Sequence, residues 1–109
     1  MLEKQIENKI KKWLEQNNHW YFKVHGGAFQ KTGVPDIIAC VKGKFVAIEV
    51  KRSNGGIVSE LQKAQIKKIK ACGGVVGVAR SLDEFIQILK DSELLWCYTS
   101  IKKIYWIRV

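Results

Sequence analysis

Leu2, Ile6, Ile10, Trp13 and Leu14 are spaced to line one face of an α-helix, while Lys4, Lys11 and Glu15 fall on the other. The pattern predicts a first helix from about Leu2 to Asn17, ended by the Asn17-Asn18 pair. From Trp20 to Val24 aromatic and β-branched residues predict a first strand. His25 to Gly33 is polar and glycine-rich and reads as a loop. Two apolar runs, Ile37 to Cys40 and Phe45 to Val50, flank Lys42-Gly43-Lys44 and predict a β-hairpin. The turn-rich segment Arg52-Ser53-Asn54-Gly55-Gly56 leads into a helix from about Ser59 to Ala71, where Ser59 and Gln62 have capping-box spacing. Gly73-Gly74 ends that helix, and Val75 to Ala79 reads as a buried strand. Ser81 and Glu84 form a second capping box before a short helix carrying Phe85, Ile86, Ile88 and Leu89.

The strand, helix, strand order from Phe45 to Ala79 implies a parallel crossover. The expected fold is therefore α/β, a mixed central sheet flanked by helices in the order αβββαβα. Beyond it, Leu94 to Thr99 and Ile104 to Val109 read as a C-terminal β-hairpin. Its two tryptophans and two tyrosines fit core or dimer packing better than a stacking platform for bases.

Charges interrupt the central hairpin at one end. If its turn centres on Lys42-Gly43-Lys44, opposed residue numbers sum to about 86, and Asp36 faces the region of Val50. Its carboxylate then lands beside Glu49 and Lys51, which share a face because they lie two apart on a strand. Two carboxylates and an ammonium in one patch suit a divalent cation with hard oxygen ligands, Mg2+ first. A lysine beside such an ion can orient a water and offset charge developing on a phosphate.

Pro35-Asp36 followed by Glu49-Val50-Lys51 resembles the PD-(D/E)XK nuclease signature. Gly33-Val34-Pro35-Asp36, Ile48-Glu49-Val50-Lys51 and Gly55 to Gln62 narrow the likeness to the VRR-NUC group, relatives of archaeal-type Holliday-junction resolvases. The resemblance covers roughly Glu3 to Ser81. It implies a restriction-endonuclease-like core and a Mg2+-dependent endodeoxyribonuclease, with Mn2+ able to substitute, acting on branched DNA as a homodimer. It further implies that Asp36, Glu49 and the main-chain carbonyl of Val50 bind metal and that Lys51 orients the water. Glu7 would hold the metal through water, because Ile10, Trp13 and Leu14 follow it as apolar residues follow the family's helix glutamate; Glu3 lacks that pattern. Gln62 would point back at the site, although the capping box gives it a purely structural reason to be there. The alternative function is a non-catalytic nucleic-acid-binding or assembly module that keeps the nuclease fold; a subunit active only with a partner is a third reading.

Composition supports this picture without proving it. With 109 residues and 47% apolar content, the chain is expected to form one nuclease domain, 1–91, with an aromatic and basic extension, 92–109, packed on it. A formal charge of +9 favours a polyanionic partner, nucleic acid first. Lys31, Arg52, Lys63 and Lys67 are the DNA-contact candidates, with Gln30 beside Lys31 in the loop and Lys68 and Lys70 adding to the basic helix surface. His25 could act as a general base or a DNA contact, but a loop histidine with no task is the favoured reading, and His19 is assigned no function. The odd number of cysteines, Cys40, Cys72 and Cys97, argues against a disulfide framework or zinc site and suggests small core residues in a reducing compartment. No signal-length or membrane-spanning apolar segment occurs, so a cytoplasmic protein is expected.

Overall fold

The computed structural model describes residues 1–26 and 32–95. Three helices and four strands follow in the order α1 (Glu3–Gln16), β1 (Trp20–Lys23), β2 (Ile37–Val41), β3 (Lys44–Val50), α2 (Glu60–Ala71), β4 (Val75–Ala79) and α3 (Leu82–Asp91). This is the expected αβββαβα order, with boundaries shifted by a residue at most. The expected C-terminal hairpin lies outside the described residues, apart from Leu94 and Leu95 at its start; Leu94 is buried in the core and Leu95 packs against it.

The strands lie side by side in sequence order. β1 pairs antiparallel with β2 and β2 with β3, whereas β4 runs parallel to β3. The β2–β3 turn is tight because Lys42 and Gly43 both adopt positive φ, at 54° and 79°, the requirement of a two-residue hairpin whose twist matches its strands. Ile37 therefore pairs with Ile48 and Val41 with Lys44. Opposed numbers sum to 85, one less than expected, and one more step along the ladder sets Asp36 across from Glu49 rather than Val50.

Alternation divides the sheet into two faces. Ile37, Ala39 and Val41 of β2, with Val46, Ile48 and Val50 of β3, bury against Ile6, Ile10 and Leu14 of α1 and Phe85 and Leu89 of α3. The opposite face carries Glu49 and receives α2, yet α2 contributes no fully buried residue. Away from α2 this face stays open, with Trp20 61% and Phe22 46% exposed, and Phe45, beside the end of α2, is still 49% exposed. That open face corrects the cysteine reading. Cys40 lies on it opposite Trp20, Cys72 is the residue that ends α2, and both are exposed; Cys97 lies outside the described residues.

The cap of α3 differs in one arm from the expected box. The Ser81 hydroxyl accepts from the Glu84 N–H, but the Glu84 carboxylate accepts from the Arg80 N–H rather than from Ser81. Among the described residues no helix is long and apolar enough to cross a membrane.

Candidate active site

Asp36 sits in the bend entering β2, directly after Pro35, which biases Val34 toward extended backbone. Its Oδ2 accepts a 2.8 Å hydrogen bond from the Val50 N–H, which fixes its carboxylate at the end of β3. The Val24 N–H donates to the Asp36 carbonyl at 2.7 Å, tying the end of β1 to the same bend. Glu49 is only 3% exposed. Its Oε2 accepts from Gln62 Nε2 at 2.8 Å and lies 3.5 Å from Lys51 Nζ. Its Oε1 is buried and has no hydrogen-bond partner. Burial first, then the negative charge of Asp36, push the Glu49 carboxyl up to about 8, against the pull of Lys51.

Gln62 bonds in two directions, to the helix cap and to Glu49. Its Oε1 accepts from the Ser59 N–H at 2.8 Å, the Ser59 hydroxyl accepts from the Gln62 N–H, and Nε2 remains free to hold Glu49. The amide divides its acceptor and donor between helix cap and carboxylate.

Gly33 allows this meeting. It adopts φ +83°, and a Cβ there would lie 2.6 Å from the Leu61 carbonyl atoms and 2.9 Å from the Gln62 nitrogen. The loop before Asp36 thus presses on the first turn of α2. Gly33→Ala is expected to cost about 1–3 kcal/mol, from strain at positive φ and the forced retreat of α2. Chemical denaturation measures it; an unchanged midpoint would show that the close packing is dispensable.

Glu7, 6% exposed, lies one ammonium away from Asp36. Its Oε1 is 3.0 Å from Lys23 Nζ, which is itself 3.4 Å from Asp36 Oδ1. Its Oε2 is held by Lys4 at 3.3 Å and Lys11 at 3.4 Å. Burial favours a neutral Glu7, but Lys23, Lys4 and Lys11 outweigh it and keep the carboxyl below its usual range. Burial likewise opposes the charge on Lys23, yet Glu7 and Asp36 hold its ammonium above the usual lysine range.

Sequence reasoning passed over two basic residues that organise this region. Lys23 closes an aromatic strand, and only the β1–β2 register, Lys23 opposite Ile37, brings it to Asp36. Arg80 follows Ala79, which pairs in parallel with Val50; its guanidinium donates to the carbonyls of Arg52 and Gly56 at 3.1 and 2.6 Å. That contact braces the loop between Lys51 and α2. Of the DNA-contact candidates, Arg52 bonds within the same loop, to the carbonyls of Asn54 and Gly55. Lys63 and Lys67 stand exposed on α2, Lys63 beside Glu60 at 3.3 Å. Gln30 and Lys31 lie outside the described residues, and His25 is exposed.

Among the described residues no group of three or more His, Cys, Asp or Glu side chains converges on one point. The donor set that does fit a small divalent ion is Asp36, Glu49 and the adjoining main chain. It consists of hard oxygens, and the buried, partnerless Glu49 Oε1 lacks a cation or donor.

The family model of the archaeal Holliday junction resolvases (Hjc) matches residues 4–82. No curated protein matches significantly. A solved structure named "VRR_NUC domain" aligns with TM-score 0.68 at 18% identity, over 81% of this chain and 94% of its own. Another, "VRR_NUC domain protein", gives 0.65 at 18% identity, over 83% and 86%. Archaeoglobus fulgidus Hjc, a Holliday junction resolvase from an archaeal hyperthermophile, gives 0.53 at 24% identity, over 70% of this chain and 65% of that one. At these identities the structural likeness speaks for the fold.

Proposed function

The chain belongs to the archaeal Holliday junction resolvase family, and we propose that it is a metal-dependent DNA endonuclease acting on branched DNA as a homodimer. The observation that carries the reading is Glu49, a buried carboxylate with one oxygen left without a partner, beside Asp36 and Lys51. With its carboxyl pushed up to about 8 by burial and then by Asp36, such a group keeps a proton unless a cation replaces it.

Asp36, Glu49 and the Val50 carbonyl would hold Mg2+ or Mn2+. The ion would supply Lewis-acid polarisation of the scissile phosphate and a more acidic water. Lys51, its side chain 13% exposed, lies with its ammonium 3.5 Å from Glu49 and would orient the attacking water and offset charge on the phosphate. Gln62 fixes the Glu49 carboxylate from α2, while the Val50 N–H fixes Asp36. Exposed lysines on α2, with the chain's +9 charge, supply non-specific attraction for the phosphate backbone.

Thermal melting tests the metal reading. Mg2+ or Mn2+ is expected to raise Tm of the wild-type protein and not of Glu49→Ala; equal shifts in both proteins would contradict it. A second comparison separates the two tasks of Gln62. Ser59→Ala removes a cap and is expected to cost about 1 kcal/mol of stability with cleavage retained. Gln62→Ala is expected to lose cleavage about 10–100-fold, as removal of a carboxylate-orienting partner does. Equal activity losses in the two variants would assign Gln62 to the helix cap alone.

A further inference from the structure

The Lys23 ammonium lies between Glu7 Oε1, at 3.0 Å, and Asp36 Oδ1, at 3.4 Å. Its position is set from three directions. α1 supplies Glu7, β1 supplies the lysine stem, and the bond from the Val24 N–H to the Asp36 carbonyl locks the end of β1 to the bend carrying Asp36. The side chain is 24% exposed, so the ammonium is partly withdrawn from water. The remaining oxygens of both carboxylates are also engaged, Glu7 Oε2 by Lys4 and Lys11 and Asp36 Oδ2 by the Val50 N–H. Glu49 differs, since its Oε1 has no partner. The acidic cluster thus has an open side at Glu49 and a side already filled by a cation between Glu7 and Asp36.

We propose that Lys23 is the resident cation of this site. Its ammonium takes the place between Glu7 and Asp36 that a second divalent ion would otherwise occupy, so each chain loads a single metal ion. The inference rests on the metal-binding reading above and gives Glu7 a role other than metal ligand. Glu7 is a positioning residue that holds Lys23 against Asp36. A divalent ion brought beside that ammonium meets like-charge repulsion at short range, whereas an ion approaching Glu49 Oε1 meets an unsatisfied carboxylate oxygen. Unlike an exchangeable ion, a lysine is a point charge fixed to the chain.

Counting Mn2+ by the resonance of the free ion, in chelator-stripped protein titrated to saturation, tests this directly. The wild-type protein is expected to bind one Mn2+ per chain. Lys23→Met and Lys23→Gln, which remove the charge, are expected to bind two, and Lys23→Arg, which keeps it, one. Two ions per wild-type chain would overturn the proposal and leave the metal reading standing, a result that needs no variant to fold. One ion in a Lys23→Met or Lys23→Gln protein whose circular dichroism matches wild type would also overturn it. No ion bound by the wild type would overturn the metal reading and this inference with it.

Discussion

Replacing Asp36, Glu49 or Lys51 by alanine is expected to abolish DNA cleavage while leaving the fold intact. Asp36 lies at the entry to β2, its Oδ2 bonded by the Val50 N–H at the end of β3, and Glu49 lies one residue before Val50 with the Lys51 ammonium 3.5 Å away. On the metal-binding proposal, losing a ligand would remove the ion's several kcal/mol of transition-state stabilisation, a rate loss on the order of a thousandfold or more. On the same proposal, losing Lys51 would remove a fixed positive charge from beside the scissile phosphate. The fold does not depend on them, because the core is built from the apolar residues of α1, α3 and the opposite face of the sheet. Cleavage rates on a labelled substrate, with circular dichroism of each variant, measure both parts. A folded Glu49→Ala or Asp36→Ala protein with wild-type rate would remove these carboxylates from the chemistry.

The second large effect is on stability. In the folded, metal-free protein the Glu49 carboxyl is pushed up to about 8 from an ordinary value of 4.5, by burial and then by Asp36. The folded chain therefore holds this proton more tightly than the unfolded chain. Its contribution to stability is fully present below about pH 4.5, falls as pH rises, and is gone once pH passes about 8. A raised carboxyl of this size corresponds to a contribution on the order of several kcal/mol. Glu49→Gln, which cannot ionise, lacks that loss. Glu7 acts in the opposite sense, since its lowered carboxyl loses stabilisation as pH falls, but both proteins carry it. The unfolding free energy of chelator-treated wild type, relative to Glu49→Gln, is thus expected to drop steadily between pH 5 and 8.5. Mg2+ or Mn2+ at pH 8.5 should restore stability to the wild type alone. Parallel curves for the two proteins would mean that Glu49 ionises freely and carries no stored charge for a metal to satisfy.

Local chemistry made much of this legible in the sequence. The hairpin follows from two apolar runs and a Lys-Gly turn, α2 from the Ser59–Gln62 box, and the parallel crossover from the order of elements. Asp36 and Glu49 could be brought together because a hairpin's register depends on its own turn; even there the pairing differed by one residue. What depended on non-local packing was harder to see. Period-two alternation says that Cys40 differs from its neighbours in direction, but not which sheet face a helix covers, and no pattern in the chain says that Cys72 ends α2 exposed. Lys23 reaches Asp36 only through the pairing of β1 with β2, across the loop that follows it. Glu7 was picked out by its helix position, yet the three ammoniums around it come from side-chain reach that helix spacing predicts only for Lys4 and Lys11.

The most direct test is cleavage of a labelled four-way junction beside linear duplex, single-stranded and flap DNA of matched sequence, by purified protein with and without Mg2+ or Mn2+. The account predicts strand scission that requires the metal, is strongest on branched DNA and is absent from Glu49→Ala. Metal-independent scission, or the same scission by Glu49→Ala, would contradict it, as would no scission of any of these substrates by folded wild-type protein that binds metal.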